Sequence, residues 1–150
     1  MSPIVPATAP AAANVPAKTT ANTPVHIDVL TCHRDVRGLV VEPVGGDELA
    51  NFRNVHVVIS EPGAIRGNHA HVRGTEITAV HGPTLVRFRE ASIVRDVAVP
   101  DGEVWRFRFP PGVPHAFLNT GDRAAILASF NTEAHDRSMP DVVRETLIEA

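Results

Sequence analysis

From Val25 onward the chain is a succession of short apolar or alternating runs: His26 to Leu30, Leu39 to Pro43, Val55 to Ser60, Ile77 to Val80, Leu85 to Phe88, Ile93 to Val99, Val104 to Phe109, Ala116 to Asn119 and Ala125 to Phe130. They are rich in Val, Ile and Phe, whose branched or flat side chains suit a pleated, half-buried surface. Between them stand Gly45-Gly46, Pro62-Gly63, Gly82-Pro83, Pro100-Asp101-Gly102 and Gly121-Asp122, residues that supply the special backbone angles of tight turns. Strands at this spacing predict an all-β sandwich or barrel.

Helices have little room, because proline or glycine interrupts nearly every window long enough to hold one. The exception is Asp141 to Glu149. Asp141 fits the cap of a short helix with Val143 and Leu147 on one face, while the alternation of Val143, Glu145 and Leu147 fits a strand equally well. Residues 2 to about 23 are almost all Ala, Pro, Thr, Val and Asn, which bury little and break regular structure. The expected organisation is a disordered tail over 1–24 and one domain over 25–150. An arm exchanged with a partner subunit is the alternative reading of the tail.

A chain of 150 residues buries a core without help from disulfides or a structural metal, so any metal here is expected to be functional. The net charge of −3, with 14 Lys and Arg scattered along the chain, leaves no basic stripe for nucleic acid. Cys32 stands alone, which excludes an intrachain disulfide and fits a reducing compartment. No apolar run approaches membrane-spanning length, and the N-terminus lacks the basic flank and apolar stretch of a secretory signal, so the expected location is the cytoplasm.

The chemistry concentrates in Gly63 to Glu76, read as GAIRGNHAHVRGTE. On a strand, residues two apart share a face, so His69 and His71 aim at one point. Glu76 follows a short connection containing Gly74 and returns a carboxylate to that point from the neighbouring strand. Much later, the Pro110-Pro111-Gly112 corner delivers His115 at the head of an apolar run. Three imidazoles and a carboxylate suit Zn, Fe, Mn, Ni or Co, and affinity order alone does not choose among them.

These residues resemble the paired motifs of the metal-binding cupin superfamily. Gly63 to Glu76 matches the first, with its His-x-His and later Glu. Pro110 to Asn119 matches the second, P-x-G-x-x-H-x-x-x-N. Gly82 comes one residue early and Gly102 lies farther than usual before Pro110, but all four metal positions survive. The resemblance implies a double-stranded β-helix, a jelly-roll-like cupin barrel, holding one divalent metal at His69, His71, Glu76 and His115.

Val57 to His71, VVISEPGAIRGNHAH, is most similar to the cupin domain of bifunctional capsular polysaccharide enzymes, epimerases and reductases of nucleotide sugars. Arg87-Phe88-Arg89 and Asn119 to Asp122 add to that likeness. It implies zinc as the metal and epimerisation of a keto-sugar; the chain has no room for the reductase. Arg66, Gly67, His69 and His71 also match deoxysugar 3,5-epimerases and nucleotide-sugar 3,4-ketoisomerases, and Asp35 to Gly38 with Glu42 resembles the opening of the epimerase fold. The 3,5-epimerases use the histidine at the place of His69 as a base and a tyrosine as the acid, and this chain has no tyrosine. A ligand cannot also abstract a proton; Glu76, which completes a four-ligand set, favours the ligand role.

The expected activity is thus a metal-dependent epimerase or ketoisomerase acting on a 4-keto nucleotide hexose. His56, opposite in parity to Val55, Val57 and Ile59, and a metal-bound water of lowered pKa are the candidate acid or base groups, and Arg66 and Arg87 are candidates to hold the diphosphate. His26, His33, His81 and His135 match no motif. The alternatives are a metal-dependent cupin dioxygenase acting on a small organic substrate and a non-catalytic cupin that binds a sugar or small acid. A homodimer is expected, with Val25 to Leu30 as a strand available for exchange or augmentation.

Overall fold

The computed structural model describes residues 23–150. Apart from Thr23 and Pro24, the tail expected over 1–24 lies outside the described residues. Twelve strands follow, all but three of them close to a run read from the sequence: β1 His26–Val29, β2 His33–Asp35, β3 Gly38–Val40, β4 Asn54–Ser60, β5 Ile65–His71, β6 Glu76–His81, β7 Thr84–Glu90, β8 Ile93–Val99, β9 Val104–Phe109, β10 His115–Asn119, β11 Ala125–Asn131 and β12 Val142–Arg144. The sole described helix, α1 at Gly46–Leu49, is a single turn at the double glycine. No described helix is long and apolar enough to cross a membrane.

Two five-stranded sheets form, in the orders β1-β9-β6-β11-β4 and β12-β5-β10-β7-β8, with β2 and β3 as a separate ribbon. Every strand pair is antiparallel. The inward side chains of the two sheets make the core, including Val80, Val86, Phe88, Val99, Phe107, Phe109, Phe117 and Leu127. Period-two alternation is visible along β7, where Thr84, Val86 and Phe88 are buried and Leu85 and Arg87 are not. This is the jelly-roll cupin architecture expected from the sequence.

Asp141 to Glu149, read as either a short helix or a strand, takes the strand: it forms β12 on the edge of β5 and then a strap whose Ile148 is buried. Within the chain, β1 pairs with β9 along one side and the Leu30 amide donates to the Val104 carbonyl, so Val25 to Leu30 forms an edge of its sheet. Finally, β5 and β6 are not neighbours: the turn after His71 carries the chain from one sheet to the other.

β5 is irregular at its centre. Gly67 and Asn68 both have positive φ, 79° and 55°, and the pairing to β10 shifts register between His115 and Ala116. A Cβ at Gly67 would sit 2.8 Å from the His115 carbonyl oxygen, so glycine is needed there for backbone approach as well as for φ. Asn68 tolerates the left-handed region better than most residues, and its amide grips the strap: Oδ1 accepts from the Leu147 and Ile148 amides, and Nδ2 donates to the Ile148 carbonyl.

Candidate metal centre and active site

His69 and His71 project from β5 on one face, as strand parity requires. His115, at the head of β10, stands directly opposite His69 in the ladder. Glu76 begins β6 and reaches the same point from the opposing sheet. The ligating atoms of these four residues lie within 4.8 Å of one another, and Glu76, His71 and His115 are buried. Phe109 stacks on the His115 ring at 4.0 Å and 9°, which sets that imidazole's plane.

The hydrogen bonds orient the nitrogens inward. His115 Nδ1 donates to the Val113 carbonyl at 3.0 Å, leaving Nε2 facing the cluster. There Nε2 lies 3.5 Å from Glu76 Oε1 without the alignment of a hydrogen bond. His71 Nε2 is 2.6 Å from Glu76 Oε2, and its Nδ1 is 3.2 Å from Asp141 Oδ2. Glu76 Oε1 also accepts from the Thr78 hydroxyl, which lies 2.8 Å from the Ser129 hydroxyl. Two buried nitrogens, His69 Nε2 and His115 Nε2, have no partner.

Buried polar atoms without partners are rare because they forfeit their hydration. A cation held between the two imidazoles and the buried carboxylate would give both nitrogens a partner. The donor set of three imidazoles and one carboxylate therefore fits a divalent transition metal.

Electrostatics agree with that arrangement. Burial, reinforced by the charge of His115, lowers the His69 pKa from the usual 6.5 to about 4, so the ring is neutral at pH 7 with its lone pair available. Burial also opposes charge on His71, but Glu76 and Asp141 outweigh it and raise that pKa. Glu76 is likewise disfavoured as an ion by burial, yet His115 and His71 hold it well below the ordinary carboxylate range.

A pH dependence follows for the metal-free protein. His69 has a folded pKa below its unfolded one, so its contribution is complete above 6.5 and lost as pH falls toward 4. His71, raised on folding, contributes fully below 6.5 and loses its contribution as pH rises through its folded pKa. The Tm of chelator-treated protein is expected to fall on acidification from 6.5 to 4, and His69→Gln to flatten that limb. An equally steep limb in the variant would contradict the assignment.

Asp141 is a site residue that the sequence did not disclose. Its Oδ1 accepts from the Arg73 amide at 2.8 Å and its Oδ2 from the Gly74 amide at 3.1 Å, while Oδ2 faces His71. Asn131 brings its amide to 3.1 Å from the same His71 nitrogen. A methyl group at Gly74 would collide with Asn131 Oδ1 and Asp141 Oδ2, which explains the glycine. Asp141 and Asn131 also line a cavity of about 300 Å³ that reaches His71 and includes His135 and Arg137. A carboxylate behind a ligating imidazole fixes its tautomer and strengthens it as a donor. Asp141→Asn is expected to weaken metal binding by roughly 10–100-fold, read by competition with a chromogenic chelator.

The other predicted residues divide. The bulge at Gly67 and Asn68 brings Arg66 to the face of β5 that carries His69, since Arg66 pairs with Phe117 and His69 with His115. His56 pairs with the buried Ser129, on the inner face of β4, and its charge acts on His69. Both residues are exposed. Arg87 is not brought to the cluster. It pairs with Ala116, whose side chain points opposite to that of His115, and its guanidinium is taken by Asp96 at 2.6 and 2.7 Å and by the Leu147 carbonyl. Thr78 was within reach of sequence reasoning, because it shares strand parity with Glu76; nothing marked Ser129 or Asn131.

Two antiparallel sheets around a common core, with His-x-His, a glutamate from the facing sheet and a late histidine meeting inside, define a cupin-like barrel. The chain belongs to the family described as the polysaccharide biosynthesis C-terminal domain, whose model matches residues 33–143.

Among solved structures the chain is similar to the capsular polysaccharide assembling protein CapF from Staphylococcus aureus, at 26% identity and a TM-score of 0.59 over 79% of this chain. The match spans 34% of CapF, so this chain corresponds to about a third of that protein. QdtA, a sugar 3,4-ketoisomerase from Thermoanaerobacterium thermosaccharolyticum solved with TDP, shares the fold at 17% identity and a TM-score of 0.62, over 83% of this chain and 89% of its own. ChmJ, a 3'-monoepimerase from Streptomyces bikiniensis solved with dTDP-quinovose, shares it at 19% identity and a TM-score of 0.64, over 79% and 69%. No curated protein matches the chain significantly.

Proposed function

We propose that this chain is an isomerase of nucleotide sugars, an epimerase or ketoisomerase acting on a 4-keto nucleotide hexose, with one divalent transition metal, zinc foremost, held by His69, His71, Glu76 and His115. The observation that supports the reading is the buried cluster of His69, His71, Glu76 and His115 between the two sheets, with the charge of His56 acting on His69. The names of CapF, QdtA and ChmJ place polysaccharide assembly, ketoisomerisation and epimerisation on the same fold. The working unit in this reading is a homodimer.

The residues divide the work by position. Arg66, exposed and without an ion-pair partner among the described residues, offers a guanidinium to the substrate diphosphate through charge-assisted hydrogen bonds. The core below the cluster, Phe109 and Phe117, excludes water. A bound divalent ion would supply Lewis-acid polarisation of the substrate ketone, which acidifies the neighbouring C–H. His56, on the inner face of β4, takes that proton. Return by His56 to the adjacent carbon moves the keto group; delivery of a proton by water to the opposite face of the same carbon inverts it, with His56 releasing its proton to solvent. Arg87 has no part in this scheme.

One observation supports a second reading. The neutral His69 with a free Nε2 is equipped to accept the proton itself when no metal is bound.

The test is exchange in heavy water. Metal-analysed protein is incubated with a panel of 4-keto nucleotide hexoses, and the ring protons are followed by NMR. Loss of the signal beside the ketone is expected, with the exchange abolished by a chelator and by His56→Asn. Exchange that survives chelation but not His69→Asn would transfer the base role to His69. No exchange across the panel would remove the isomerase reading, and oxygen consumption by an iron-loaded form would replace it with oxidative chemistry.

A further inference from the structure

Of the three imidazoles in the cluster, two have partners that set their rings. His71 is held by Glu76, Asp141 and Asn131, and His115 by the Val113 carbonyl and the Phe109 stack. The His69 ring has no hydrogen-bond partner among the described residues and meets the other two imidazoles only edge-on. Its direction is therefore set by the backbone that carries it. Just before His69 that backbone is interrupted, by two positive φ angles in succession and by the register shift against β10. On its other side the β12 ladder ends at Arg144, opposite His69.

The segment that follows β12 takes over at that point. The Glu145 amide donates to the Asn68 carbonyl at 2.9 Å. The Asn68 side chain adds its bonds to Leu147 and Ile148, at 2.8 Å and 3.1 Å to the two amides and 2.9 Å to the carbonyl. From β5 the segment runs across β10 to β7, where Arg89 pairs with Glu145 and Arg87 Nη1 donates to the Leu147 carbonyl at 3.2 Å. Ile148 is buried at its far end. A segment that merely covered the sheet edge would need only ladder bonds, as β12 makes. Here the bonds converge on one side chain instead, that of the residue next to His69.

We propose that residues 145–148 form a latch that positions His69 for a metal ion through Asn68, so that docking of the latch and binding of the ion are coupled. The docked latch fixes Asn68 in its left-handed conformation and with it the direction in which His69 leaves the bulge. With the latch undocked, the bulge samples other angles, and the ring has to be ordered again when a cation binds, which weakens binding. The coupling is reciprocal: by whatever factor the docked latch raises affinity for the ion, the bound ion raises docking of the latch. Asn68 is thus a positioning residue that acts through His69. Arg87, turned away from the cluster, anchors the far side of the latch. The inference rests on the metal-binding reading of the site and adds what holds its least constrained ligand.

Zinc affinity of the full chain, measured by competition with a chromogenic chelator, tests it. Asn68→Gly suits the positive φ and deletes only the side-chain bonds. Ile148→Ala loosens the buried end of the latch and leaves β5 and the cluster unaltered. Each is expected to lower zinc affinity on the order of 10-fold and to change the visible absorption of the cobalt-loaded protein, which follows ligand geometry. A role confined to stability would lower the Tm and leave both readouts unchanged. In the wild type, removal of zinc should speed hydrogen exchange at the Leu147 and Ile148 amides by a similar factor, with the amides of β8, separated from β10 by β7, as the unchanged reference. This arm decides the matter if a variant fails to fold. A wild type that takes up neither zinc nor cobalt would overturn the metal reading and the latch together. Wild-type zinc affinity in either variant, or latch amides indifferent to zinc in a protein that binds it, would overturn the latch alone.

Discussion

Glu76→Gln protein is expected to fold and to purify almost free of metal. Glu76 is 3% exposed and lies between His71, the His115 ring and the Thr78 hydroxyl. Glutamine keeps its shape and one carbonyl oxygen for Thr78, so packing survives. What disappears is the negative charge that faces two buried, unpartnered imidazole nitrogens. A charged ligand matters more to a cation than the outer partner of a ligand does, so the loss of affinity should exceed the roughly 10–100-fold expected for an outer partner.

The carboxamide also leaves the His71 imidazolium without its closest counter-ion. A buried charge stripped of its partner typically costs about 3–5 kcal/mol, and His71 has an alternative, to lose its proton. The metal-free variant should therefore be least stable relative to wild type at acid pH and approach it as pH rises. Metal content by mass spectrometry and urea unfolding at pH 5.5 and 8 (both about one unit or more from 6.5) separate the two effects. Full metal occupancy in Glu76→Gln would refute the ligand assignment.

The second large effect belongs to Phe109→Ala. Phe109 is 1% exposed, packs with Phe88, Phe107 and Phe117, and stacks on His115. Removing a buried ring of this kind costs about 3–5 kcal/mol through lost burial and the cavity left behind, a large share of the roughly 5–15 kcal/mol that holds a domain together. Because the same ring sets the plane of His115, metal affinity should fall as well, even at temperatures where the variant is folded. Phe109→Leu should recover much of the stability and less of the affinity, since a branched aliphatic fills space without presenting a flat face. Equal recovery of both would show that Phe109 acts on the site only through packing.

Much of the site was legible because its parts are local. His69 and His71 share a face through strand parity alone, and the proline-glycine corner announces where the strand bearing His115 begins. The opposite parity of His56 against Val55, Val57 and Ile59 also survives, although the valine row proved to be the outer one. Arg87 shows the limit of such reasoning: its sequence likeness marked it as a binding residue, while its pairing with Ala116 on β10 turns it outward to Asp96. Arg66 shows the reverse, because uninterrupted parity would separate it from His69, and the Gly67-Asn68 bulge brings the two together.

Strand positions, turn positions, the cupin-like class and the identity of the four clustered residues are written in the sequence, since each depends on spacing within a few residues or on one short motif. Only the tertiary structure decided that Glu76 reaches the cluster from the opposing sheet, that Asp141 stands behind His71 from 70 residues away, and that Arg87 turns outward to Asp96. Those features depend on which strands become neighbours and in what register. That outcome is settled by the summed burial and pairing of the whole barrel, and no local pattern carries it.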